Sequence, residues 1–205
     1  MTEKTKKNKI IIAVVIVILI VLGISMAIDY FMEDKEPSVL MYNGYYFAEL
    51  DNGLWSTSVG KYDDKDFVLV LHNTPKEVED IYVYGNLSSF FPSNLTYLSY
   101  NPETWERSPS LKVALMDLSL KLAGSAALFQ DDLFNPTIVC SENKADVCNE
   151  IGVSNCESGG KVIQFVEADW RSIAINGSCI TLYSDVDSFT EVEDRLLYSW
   201  FGVMQ

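Results

Sequence analysis

Residues Ile10 to Ile28, IIIAVVIVILIVLGISMAI, run for nineteen positions with no charge and a single hydroxyl. A helix of that length, rising about 1.5 Å per residue, comes close to spanning the roughly 30 Å hydrocarbon core of a bilayer. Lys4, Lys6, Lys7 and Lys9 precede the run, and the acidic DYFMEDKE follows it. Lysines on the first flank alone place that end in the cytoplasm. The sequence therefore predicts a cytoplasmic tail at 1–9, a single-pass signal-anchor at 10–28 in contact with the lipid bilayer, a juxtamembrane linker at 29–40 and an extracytoplasmic domain at 41–205. The rival is a signal peptide cleaved after Ala27, at Ser-Met-Ala, but the apolar run exceeds the usual signal core of about 7–15 residues. Either way the domain lies outside.

Charge narrows the partners. Four of the fifteen basic residues and one of the twenty-nine acidic ones precede Asp29, which leaves eleven basic residues against twenty-eight acidic beyond it. A surface this acidic repels phosphate backbones, so nucleic acid is not an expected partner. A solvated acidic coat is the simpler reading of this charge, and a cation-binding surface is the sharper one.

The compartment decides how the cysteines are read. Cys140, Cys148, Cys156 and Cys179 leave gaps of seven, seven and twenty-two residues. Zinc sites bring two ligands together two to four residues apart, and redox pairs use C-x-x-C; neither spacing occurs here. Outside a cell such cysteines become disulfides. Cys140–Cys148 with Cys156–Cys179 is the simplest pairing, and Cys148–Cys156 is a rival that spacing leaves open. The stretch between Cys140 and Cys156 is polar and aperiodic, and reads as a surface loop tethered by its crosslinks.

Patterning predicts an α+β domain. Asn52-Gly53 suits a type I′ hairpin turn, and the aromatic flanks with FVLVLH at 67–72 give a three-strand meander, with KYDDKD as its second turn. Thr74, Pro75 and Glu77 carry the signature of a helix start. NLTYLSY at 94–100 reads as a strand and NPETWERSP as a break. The following helix has Leu111, Leu115, Leu118 and Leu122 on one face, with Gly124 as its stop. PTIVC completes a βαβ-like crossover. KVIQFVE, RSIAI and SCITLYS form a C-terminal β-hairpin region with a tight turn at Asn176-Gly177. A terminal helix follows, with Ser188 and Glu191 as a capping box, Phe189, Val192, Leu196, Leu197 and Trp200 on one side, and Gly202 as its end.

Catalytic constellations are sparse. His72 is the only histidine, and no nucleophile elbow, phosphate loop or zinc-protease motif is present. His72 could serve as a general base near a strand end, but a partly buried structural histidine is the simpler reading. Asp63, Asp64 and Asp66 lack the ligand spacing of a calcium hand and suit a turn. Asp131-Asp132 could form a carboxylate pair, with a solvated loop as the simpler reading. Asn86, Asn94 and Asn176 head N-glycosylation sequons. Phe90 and Phe91 lie between elements, where a loop could present their rings to a partner. No cofactor and no metal site is indicated.

YNGYYF and DNGLW within residues 42–60, with a cysteine pair, NGSCITLYS and EVEDRLLYSWFGVM within 138–204, resemble uncharacterised single-pass, membrane-anchored extracytoplasmic proteins of small-genome archaea. The resemblance implies an archaeal cell-surface domain and carries over no activity. The expected function is non-catalytic: an envelope component or binding module that docks a protein partner at the cell surface. The alternatives are an extracytoplasmic enzyme with an acidic or His72-based site, and an accessory subunit of a membrane complex.

Overall fold

The computed structural model describes residues 38–62, 64–90, 96–129 and 136–204. The tail, the anchor and the linker as far as residue 37 lie outside the described residues, as do Asp63, Phe91, Asn94, Asp131 and Asp132. No helix among the described residues is long and apolar enough to cross a membrane.

The first sheet is an antiparallel meander of four strands in chain order, β1 (Val39–Tyr42), β2 (Tyr45–Glu49), β3 (Trp55–Tyr62) and β4 (Lys65–Leu71). Three were expected. The extra strand takes Val39 and Leu40 from the linker, because alternation continues there: Val39 and Met41 face solvent while Leu40 and Tyr42 are half-buried. The type I′ turn sits one hairpin earlier than expected. Asn43 and Gly44 join β1 to β2 with φ of 49° and 86°, the two positive values that this turn demands. At Asn52-Gly53 only Gly53 has positive φ. Glu49 pairs with Trp55, which leaves a longer loop closed by the Leu50 N–H donating to the Leu54 carbonyl at 2.7 Å. The turn between β3 and β4 forms as expected, with Asp64 at φ 60°.

The second sheet has six strands: β5 (Tyr82–Tyr84), β6 (Thr96–Tyr100), β7 (Pro136–Cys140), β8 (Lys161–Glu167), β9 (Ser172–Asn176) and β10 (Cys179–Ser184). Their order is β5-β9-β10-β8-β6-β7. The expected crossover is present, since β6 and β7 pair in parallel from Thr96–Pro136 to Tyr100–Cys140. β8 extends the parallel arrangement by pairing with both β6 and β10. β9 and β10 form the expected hairpin, turning at Gly177 with φ 57°.

Among the described residues, four α-helices accompany the sheets: α1 (Pro102–Arg107), α2 (Pro109–Phe129), α3 (Asp146–Ile151) and α4 (Phe189–Trp200). α1 occupies the stretch expected to be a break. Asn101 caps it by accepting from the Glu103 N–H at 2.8 Å, and Pro102 opens it. The four leucines of α2 are buried as expected, but Gly124 does not end the helix. A Cβ there would make ordinary contact with the Phe67 ring at 3.6 Å, and the helix continues past the glycine to Phe129. No helix follows Thr74. The Thr74 N–H and hydroxyl both donate to Glu77, at 2.7 and 2.8 Å, but successive turns lead into β5. Val78 and Ile81 are buried in the core, and β5 takes its ladder bonds from β9, which outweighs the local start signal. The Ser188 capping box is also absent, because the Glu191 carboxylate pairs with Arg171. Gly202 ends α4 as expected, at φ 72°, with the Val203 N–H reaching back to the Tyr198 carbonyl at 2.8 Å.

α2 and α4 pack between the two sheets. From the meander, Phe47 meets Tyr198 at 5.8 Å and Phe67 meets Phe201 at 5.6 Å between ring centroids. From the second sheet, Phe165 meets Phe189 at 6.0 Å. α4 is therefore covered on both sides, and Glu193, Asp194 and Arg195 are buried along with its apolar residues.

Candidate functional site

All four cysteines are paired, Cys140 with Cys148 and Cys156 with Cys179, at Cα separations of 5.6 and 5.4 Å. The simplest of the open pairings is the one formed, and no thiolate is left to hold a metal. The segment they brace is more than a surface loop. Cys140 and Cys148 are buried in the core, Cys148 on the short helix α3, and Val153 bridges Cys140 along the outer edge of β7. Ser99 reinforces this by donating its hydroxyl to the Ser154 carbonyl.

Beyond the bridge, the Cys156–Cys179 bond ties the cysteine segment to β10 and makes it one wall of a cleft of about 880 Å³. Gln164 and Val166 of β8, with Thr181 and Tyr183 of β10, form the floor. These side chains alternate with Phe165 and Leu182, which point into the core, so the cleft opens on the sheet face away from α2 and α4. Asn101, Glu103, Thr104 and Arg107 come from the chain leaving β6, and Ala168, Asp169 and Trp170 from the chain leaving β8. The chain leaving β6 turns outward to β7, while the chain leaving β8 goes to the other side, to β9 and β10. Neighbouring parallel strands whose connections diverge open a crevice beyond their carboxyl ends, the usual ligand position in open parallel sheets.

The lining is acidic. Glu103, Glu142, Glu157, Glu167 and Asp169 face a single guanidinium, Arg107. Glu167 accepts from Arg107 at 2.6 Å and from the Thr104 hydroxyl at 2.9 Å. Glu142 accepts from Asn101 at 2.7 Å and pairs with Lys144 at 3.0 Å. Glu157 and Asp169 have no salt-bridge partner among the described residues. Trp170 is 60% exposed and stacks on Tyr183 with centroids 6.0 Å apart. An exposed ring pair beside uncompensated carboxylates suits a cation, which both the ring faces and the acids attract.

The residues singled out from the sequence fall elsewhere. Phe90 is buried, edge-on to Trp200 at 6.0 Å and beneath the Lys161 ammonium at 4.9 Å. Its ring is part of the core and is not offered to a partner, which corrects the expectation for Phe90. Asn86 and Asn176 are exposed. Asn86 caps the 3-10 turn Leu87–Ser89 by accepting from the Ser88 N–H at 2.9 Å, and Asn176 ends β9.

His72, just beyond β4, is half-buried in a second polar centre between β4, α2 and α4. Its Nδ1 lies 3.6 Å from Asp117 of α2. Lys121, one turn further along α2, reaches Glu193 at 3.2 Å, Asp117 at 3.5 Å and Asp194 at 3.9 Å. Burial pushes the Glu193 carboxyl well above the usual carboxylate range, against Lys121, and it raises Asp194 too. Burial alone would lower Lys121, but Glu193, Asp194 and Asp117 together outweigh it and hold the ammonium charged. The two tendencies coexist because Lys121 keeps its other acids when Glu193 takes up a proton. Burial likewise raises the Tyr198 hydroxyl.

Neither the cleft nor the acid pair was anticipated. Glu193 did carry a signal: at 3.6 residues per turn it projects between Trp200 and Leu197, inside the apolar stripe of its helix. The cleft carried none, since its walls come from segments far apart in the chain. No protein-family model matches the chain, no curated protein matches it, and no solved structure matches it.

Proposed function

We propose that this chain is a membrane-anchored extracytoplasmic binding module whose acidic cleft captures a positively charged group presented by a protein partner at the cell surface. The uncharged run at 10–28 with its lysine flank supports the anchor, and two disulfides support an oxidising compartment. The observation that carries the binding role is the cleft itself: about 880 Å³ at the diverging ends of β6 and β8, with five carboxylates against one guanidinium and the Trp170–Tyr183 pair at its mouth. No histidine and no free thiol is among the residues that line it. A lysine or arginine side chain on an exposed segment fits that chemistry, with the carboxylates supplying attraction and the rings a face for the cation.

The test is titration of the full chain in detergent with a lysine-rich peptide and with a glutamate-rich peptide of equal length, followed by Trp fluorescence and calorimetry. Binding of the basic peptide alone, weakened by salt and at least tenfold by Asp169→Asn or Trp170→Ala, supports the reading. Equal binding of both peptides, or binding indifferent to these substitutions, overturns it. The enzymatic alternative places its chemistry at an acidic or His72-based site; none of the residues around His72 lines the cleft, so only the cleft carboxylates could serve it there.

A further inference from the structure

The geometry points to a divalent transition-metal site built from His72, Glu193 and Asp194, with Asp117 at its rim 3.6 Å from the imidazole. One ligand atom from each of His72, Glu193 and Asp194 lies within 4.8 Å of the other two. Zinc holds nitrogen and oxygen ligands at about 2.0–2.2 Å, so the three atoms need close by less than about 1 Å each to grip an ion.

Buried atoms of the three residues lack hydrogen-bond partners. Glu193 Oε2, Asp194 Oδ1 and His72 Nδ1 are out of contact with solvent and make no hydrogen bond, and both carboxylate side chains are fully buried. Buried polar atoms are almost always satisfied, so three without a hydrogen bond in one cluster are unusual; His72 Nδ1 and Asp194 Oδ1 have only the longer ion-pair contacts to Asp117 at 3.6 Å and Lys121 at 3.9 Å. Each acid meanwhile has its other oxygen fixed. Asp194 Oδ2 accepts from the His72 and Asn73 backbone N–H groups and from the Asn73 amide, at 2.8 to 2.9 Å. Glu193 Oε1 accepts from Lys121 at 3.2 Å. Metal-binding carboxylates are oriented in this way, with one oxygen anchored and the other turned to the ion.

Charge points the same way. Three carboxyl groups, Asp117, Glu193 and Asp194, face one cation, Lys121, so a dication finds acids to neutralise there. One imidazole nitrogen among carboxylate oxygens suits zinc or its first-row neighbours better than magnesium or calcium, which prefer oxygen alone. His72 and Asp117 keep 27% and 32% of their side chains exposed, which gives an ion a way in.

The experiment uses the full chain, stripped with chelator and titrated with Zn²⁺ by calorimetry and with Co²⁺ by visible absorption. The expected result is one ion per chain, intense Co²⁺ bands of a four-coordinate site, and a melting temperature that climbs with free Zn²⁺. Glu193→Gln and His72→Ala should each weaken Zn²⁺ binding at least tenfold, while Asp169→Asn, in the cleft, leaves it unchanged. Asp117→Asn, at the solvent-facing rim, gives a second variant whose folding does not depend on a buried carboxylate, and it should weaken binding and alter the Co²⁺ bands. Absence of Zn²⁺ binding to the stripped chain, or equal affinity in Glu193→Gln, His72→Ala and Asp117→Asn, overturns the site and leaves the cluster a structural ion pair.

Discussion

Asp194 holds Asn73 twice through one oxygen, accepting from its backbone N–H at 2.8 Å and from its side-chain amide at 2.9 Å. The same oxygen takes the His72 N–H at 2.9 Å, and the Tyr198 hydroxyl donates to the Asn73 carbonyl at 2.5 Å. A single helix, α4, thus secures the chain at the exit of β4 and joins the meander to the central layer.

Asp194→Ala would strand three donors in a site without water, so it should cost about 3–5 kcal/mol of stability. Asp194→Asn keeps an acceptor and should cost less. Urea unfolding of both variants checks this; equal midpoints for Asp194→Ala and the native chain would contradict the clamp.

Glu193 makes the metal-free protein sensitive to pH in a definite sense. Its folded carboxyl is raised by burial, while the unfolded one titrates near about 4.3. Above that value the folded state binds more protons than the unfolded state, so stability is fullest below it and falls as pH rises through the folded value. Asp194 acts in the same sense, against the pull of Lys121. In chelator, Glu193→Gln should flatten the fall between pH 4 and 8 and raise the melting temperature at neutral pH. Melting curves of both proteins across that range decide it, and a steeper slope in the variant would contradict the assignment.

The two disulfides should be separable in effect. The Cys140–Cys148 loop spans eight residues and the Cys156–Cys179 loop twenty-three, so chain-entropy arguments give about 2.5 and about 3.5 kcal/mol for their removal. Only the second fixes a wall of the cleft. The double substitution Cys156→Ser/Cys179→Ser should therefore lose peptide binding under conditions where it remains folded, while Cys140→Ser/Cys148→Ser loses stability alone. Circular dichroism paired with the peptide titration distinguishes them.

Trp170→Ala should be silent in folding. The side chain is 60% exposed, and its loss should change stability by no more than about 0.5 kcal/mol. A larger loss on urea unfolding would mean that the ring braces the β8–β9 connection instead of standing ready for a ligand.

The features legible in the sequence were local ones. Leu111, Leu115, Leu118 and Leu122 announced one face of α2 through their spacing, and Gly202 announced the end of α4 through its tolerance of positive φ. The α+β class and the crossover from β6 to β7 followed from periodicity and order, and the two disulfides match the pairing that spacing made simplest. Local signals misled where distant partners competed. The helix start at Thr74 gave way to β5 pairing with β9, and Phe90 turned inward to Trp200.

The sequence by itself determined the strongly periodic elements, such as α2, α4 and the strands β8 to β10, because periodicity depends on neighbours along the chain. It did not determine α1, the turns after Thr74 or the choice among cysteine pairings. Only the tertiary structure decided that α4 would be covered by two sheets, so that Glu193 and Asp194 are held away from water beside His72 and Lys121. It alone brought α1, the cysteine segment and the β8–β9 connection around one cleft. Burial of a second helix face and the meeting of strand ends depend on contacts between residues more than a hundred positions apart, such as His72 with Asp194, and no local pattern encodes them.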